Sequence, residues 1–145
     1  MPFRFPLAAV LMVREHAEQR EERALKTIQV ELARAARLVD ELDAATALAH
    51  DAREKELQQP TPSFRLHDYQ RQIEEAAEKK KTLLQQVHVL RQDLARQMRA
   101  YQAAHRDREA LTDMLQAQRE AYHQRQERER QKQVDDVFIA RHHRN

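Results

Sequence analysis

The chain is 145 residues long, short enough for one folding unit, and holds no Gly, no Cys and no Trp, while Asp, Glu, Lys and Arg make up 34% of it. These absences exclude a disulfide framework, thiolate metal sites and the Gly-rich loop with which nucleotide hydrolases cradle phosphate. A net charge of +2, from 26 basic and 24 acidic residues, is too balanced to mark a nucleic-acid binder.

Ala, Leu, Glu, Gln, Lys and Arg dominate, all good helix formers. With only four Pro, at 2, 6, 60 and 62, nearly every residue is free to be helical. A mean hydropathy of −0.95 would also suit a disordered chain; the periodicity below argues otherwise. The opening Phe3-Arg4-Phe5-Pro6-Leu7 leads into a short apolar patch that Arg14, Glu15 and His16 carry on in helical style. It reads as a helix start rather than a cleaved leader. No apolar run approaches the roughly 20 residues needed to span a bilayer. The missing Cys suits a reducing cytoplasm.

The first helix is expected over about 7–57. Its apolar repeat has a seven-residue period: Leu11, Glu18, Leu25, Leu32, Val39 and Thr46 at one seam position, and Leu7, Arg14, Glu21, Ile28, Ala35, Leu42 and Ala49 at the other. Pro60 and Pro62 then break the pattern, since one lacks an N–H and the other drives Thr61 out of the α region. This predicts a loop over about 58–64, with Ser63 or Asp68 as the next N-cap and Glu74 and Glu75 suiting the helix dipole.

The second helix is expected over about 66–140. Its seam reads Ile73, Lys80, Val87, Leu94, Tyr101, Arg108, Leu115 and Tyr122, with Ala76, Leu83, Leu90, Gln97, Ala104, Leu111 and Gln118. A period of 3.5 sustained this long is the coiled-coil signal. The fold class is therefore all-α: two long helices in an antiparallel coiled-coil hairpin, one domain over 1–145. Folding at the Pro loop pairs residues whose numbers sum to about 122, setting Leu32 near Leu90 and Leu11 near Leu111. The seam weakens where Arg14, Glu18 and Glu21 oppose Tyr101, Ala104 and Arg108. From about 122 onward the second helix overhangs, and the overhang and the N-terminal lead are expected to lack intrachain partners. The overhang is polar all round until Val134, Val137, Phe138 and Ile139, a candidate docking point.

Catalytic chemistry has nowhere to reside. The eight His form no i,i+4 pair, and a two-helix hairpin offers no water-excluded cleft for acid–base work. No catalytic, cofactor-binding or metal-ligating residue is assigned. Lys79-Lys80-Lys81 is the only basic triplet and reads as a solvated face.

The two ends carry a resemblance. Phe3-Arg4-Phe5-Pro6-Leu7, then Val10-Leu11 and Arg14-Glu15, resembles the opening of the FliJ family of flagellar type III export proteins. Lys132-Gln133-Val134-Asp135-Asp136 with Arg141 resembles that family's closing pattern, with Asp136 in place of the usual Glu. The resemblance implies a non-enzymatic stalk and chaperone-escort protein of the export apparatus, at the cytoplasmic face of the inner membrane. Its implied partners are a hexameric export ATPase, the export-gate membrane protein and export chaperones. By the same resemblance Tyr69, Ile73, Ala76 and Lys80 match a gate-binding patch, of which Ile73, Ala76 and Lys80 also fall on the seam. Phe3, Phe5, Leu7, Val134, Val137 and Phe138 are the candidates for the ATPase ring. A stalk protein of a virulence-type injectisome, or a generic structural coiled coil, remains as the alternative.

Overall fold

The structure is a computed structural model that describes residues 2–60 and 62–144. It consists of two helices, α1 (Ala8–Leu57) and α2 (Ser63–Arg144), packed against each other, with no strand among the described residues. This is the all-α helical hairpin expected from the heptads.

Local chemistry accounts for the ends. The Phe5 carbonyl accepts from Ala8 N–H at 3.1 Å, and Leu11 N–H donates to Leu7 at 2.9 Å, closing the first turn behind Pro6. At the other end of α1, Gln59 N–H tightens onto the Glu56 carbonyl at 3.2 Å, and Pro60 has no N–H to continue. The second helix opens one residue past Pro62, whose carbonyl accepts from Arg65 N–H at 3.2 Å. Neither expected N-cap is used as such: Ser63 is already helical and Asp68 lies inside the helix. No acidic residue occupies the first turn, and Glu74 and Glu75 sit too far along to feel the dipole, which fades within one turn. Thr61 lies outside the described residues. No described residue has positive φ, the conformation for which turns use Gly.

The chain divides into two compact units. One, the loop unit, is Glu22–Ala100; the other, the terminal unit, is Met1–Glu21 with Tyr101–Asn145. In the loop unit Leu25, Ala35, Ala49 and Val87 are buried, and Ile28, Leu32, Val39, Leu42, Thr46, Ile73, Ala76, Leu83, Leu90 and Leu94 are half-buried. Every one is a seam position of the heptad reading. In the terminal unit only Leu11 among the described residues is buried, and Arg14 and Gln118 are exposed despite their seam register. No described side chain is fully buried, because two helices present one seam to each other and leave its flanks in water.

Polar contacts across the helices report the register. In the loop unit Asp43 pairs with Lys80 at 2.7 Å, Arg53 donates to Gln70 at 2.7 Å, and Glu56 meets Tyr69 at 3.1 Å and Arg65 at 3.7 Å. In the terminal unit Arg14 reaches Asp107 at 3.4 Å and Arg108 reaches Glu18 at 2.7 Å. The two residue numbers in these pairs add to between 121 and 126, the register expected from a fold at the Pro loop.

Candidate protein-docking surfaces

Tyr69, Ile73, Ala76 and Lys80 follow one another along one face of α2 in the loop unit, three to four residues apart, and all are half-buried. The Tyr69 hydroxyl donates to Glu56 Oε1 at 3.1 Å. That hydrogen bond, then burial, then the Glu56 charge, raise its pKa above the ordinary 10.0, with Arg65 working the other way. Lys80 Nζ sits 2.7 Å from Asp43 Oδ1. The four residues thus contribute to interhelical packing, and a partner would meet their outer edges. Lys79 and Lys81 beside them are exposed, as a solvated face requires.

Phe3, Phe5 and Leu7 are half-buried. The Phe3 ring lies 5.5 Å from the Tyr122 ring at an interplanar angle of 49°, and the Arg119 guanidinium stands 5.8 Å from the Phe3 centroid. Both separations suit aromatic and cation–π attraction. This corrects the expectation that the lead lacks intrachain partners: an aromatic at position 3 and one at 122 fall within the register of the hairpin. Tyr122 is accordingly half-buried, and the exposed stretch begins at His123.

From His123 to Arg144 every residue is exposed. Val134, Val137 and Phe138 are 56%, 52% and 68% exposed. Together with Arg130, Gln133 and Arg141 they line one shallow depression on the helix surface. Ile139, which is adjacent in sequence, is absent from that lining. Phe138 also stacks on His142, centroids 6.1 Å apart and planes 8° from parallel.

The terminal unit also holds a charged layer. Arg108 Nε donates to Glu18 Oε2 at 2.7 Å, and its other nitrogens approach Thr112 Oγ1 at 3.4 Å and His105 Nδ1 at 3.3 Å. His105 also stands 3.6 Å from Glu18 and 3.5 Å from Glu109, and stacks on Tyr101 at 5.9 Å. The Glu18 hydrogen bond, opposed by desolvation, raises the Arg108 pKa further still, so the guanidinium stays charged. The weak seam of the sequence is in fact bridged by ions. Among the described residues no cluster of three or more His, Asp or Glu could hold a metal ion, and no helix is long and apolar enough to cross a membrane.

The fold and its surface define a class, a two-helix coiled-coil hairpin with exposed apolar residues on the C-terminal stretch of α2. The comparison with known families makes this particular. The family described as "Flagellar FliJ protein" matches residues 3–145, essentially the whole chain, and the chain belongs to that family. It is therefore a component of flagellar type III protein export. No curated protein and no solved structure matches it.

Proposed function

We propose that the chain acts as a non-enzymatic central stalk and chaperone escort of the flagellar export apparatus, working at the cytoplasmic face of the inner membrane. Its chain ends enter the ring of the hexameric export ATPase. The Tyr69, Ile73, Ala76 and Lys80 stretch meets the export-gate membrane protein, and export chaperones dock on the hairpin. The observation that carries the ring contact is the C-terminal stretch of α2: a run of exposed helix bearing Val134, Val137 and Phe138, apolar side chains each more than half exposed. Isolated apolar groups on a polar helix are the usual mark of a partner face.

Phe138→Ala combined with Val134→Ala tests this. Helicity and melting are expected to stay as in the wild type, since both side chains are exposed. Pull-down by the cognate export ATPase should weaken, and the stimulation of ATP hydrolysis should fall. Unchanged binding and hydrolysis would transfer the contact to Phe5 and Leu7, and a large drop in melting temperature would show that the stretch packs on the chain.

A further inference from the structure

The apolar residues near the C-terminus do not form one patch. At about 3.6 residues per turn, Val134, Val137 and Phe138 share a face of α2 with Arg130 one turn before them and Arg141 one turn after. Asp135, Asp136 and Ile139 fall on the other sides, outside the shallow depression that the first five residues line with Gln133. The face is thus a short apolar stripe with a cation at each end; Asp135 and Asp136 point elsewhere, while Glu127, one turn before Arg130, shares the face. Glu127 lies 3.9 Å from Arg130, but both side chains are more than 70% exposed. An ion pair so open to water is weak, and a stronger carboxylate partner displaces it readily.

We infer that this stripe is a helical ligand for a protein groove whose apolar floor is rimmed by carboxylates, with Arg130 and Arg141 each meeting an acidic side chain. The inference rests on the ring-binding reading above and deepens it by naming the face and the chemistry of the receiving surface. The placement of charge selects the occupant. A second copy laid antiparallel over the stripe sets Arg130 against Arg141, and a parallel copy sets each arginine against itself, so like charges oppose in both cases. An anionic lipid surface calls for a broad apolar face, whereas this one is three side chains wide with two aspartates behind it. A groove with acidic rims satisfies both the apolar residues and the two cations.

The test uses the full chain and the purified cognate export ATPase, with affinity measured by calorimetry at low and at moderate salt. Arg130→Glu with Arg141→Glu is expected to weaken binding at least about tenfold at low salt and to flatten its salt dependence. Ile139→Ser, on another side of the helix, should leave both unchanged. Circular dichroism of all variants should overlay the wild type, since every substituted side chain is exposed. If charge reversal leaves affinity intact while Val134→Ala with Phe138→Ala lowers it, the acidic rim is wrong and the ring reading survives. If the wild type does not bind the ATPase, both fail together. Light scattering that reports a dimer dissolved by charge reversal overturns the inference in favour of self-pairing. Binding to vesicles of phosphatidylcholine and phosphatidylglycerol that the same reversal abolishes overturns it in favour of a lipid surface.

Discussion

The two units of the hairpin are built on the same heptad yet held together by different forces. In the loop unit Leu25, Ala35, Ala49 and Val87 are buried in a run of apolar layers. In the terminal unit the equivalent positions hold Glu18 and Arg108, joined at 2.7 Å with side chains 18% and 24% exposed. Burial of apolar surface is non-directional and tolerates sliding by a heptad, so it supplies stability more than register. A cross-helix ion pair is satisfied in one alignment only, and is therefore suited to specifying that alignment. The difference teaches that a coiled coil can shift its emphasis along its length, with apolar layers leading in one stretch and a half-buried ion pair, less exposed than Asp43–Lys80, leading in another.

The sharpest way to break this comparison is to place a charge among the apolar layers. Leu32→Asp is expected to cost about 2–3 kcal/mol, because the half-buried leucine lies in the run expected to face Leu90 and a carboxylate there loses apolar contact and part of its hydration. Thermal melting by circular dichroism should fall by roughly 10 °C. A shift of a degree or two would mean that the loop unit does not draw its cohesion from this seam.

A smaller effect is expected in the terminal unit. Glu18→Ala strands the Arg108 guanidinium and should lower the midpoint by roughly 3–5 °C. Glu18→Leu with Arg108→Leu should restore or exceed wild-type melting, since apolar replacement of a partly buried pair is commonly neutral or better. That same double variant should lose alignment: spin labels on residues 21 and 101 should report a broader distance distribution than in the wild type. A narrow distribution would remove the register role from the ion pair.

The smallest effect concerns the loop unit at high pH. The fold favours the neutral Tyr69 phenol, because its hydroxyl donates to the Glu56 carboxylate, and its pKa stands above 10.0. A raised pKa of this kind contributes stability fully present below pH 10 and lost as pH climbs through the raised value. Helicity should therefore fall above pH 10 in the wild type more than in Tyr69→Phe, and absorbance titration should lose its late-ionising component in that variant. Identical alkaline curves would show that the hydrogen bond carries no such weight.

The heptads made the helices and the register legible, and Pro60 and Pro62 the loop, since Leu, Val, Ile and Ala recur on one face at a period that keeps two supercoiled helices in contact. Other features depended on details that the period does not encode. Arg14 and Gln118 occupy seam positions but are exposed, long polar side chains that reach water from the edge of a two-helix seam. The Phe3 contact with Tyr122 escaped notice because the lead precedes the repeat, although its residue numbers add to 125, within the range of the other cross-helix pairs. Ile139 was grouped with Val137 and Phe138 by adjacency in sequence, whereas a helix groups by turns. The N-cap expectation at Ser63 failed because Pro62 already supplies the first accepting carbonyl.

The exposed run from His123 to Arg144 has a kinetic consequence. An isolated peptide of this length must form its first turn from nothing, a step disfavoured by a factor on the order of a thousand. Here the packed turns ending near Tyr122 act as a permanent seed, and each further residue merely extends an existing helix. Amide exchange should therefore slow steadily along the exposed run towards the packed turns, from Arg144 to His123. A partner arriving at Val134 and Phe138 finds a shape already made, and the association rate should be little reduced by any waiting for the helix to form.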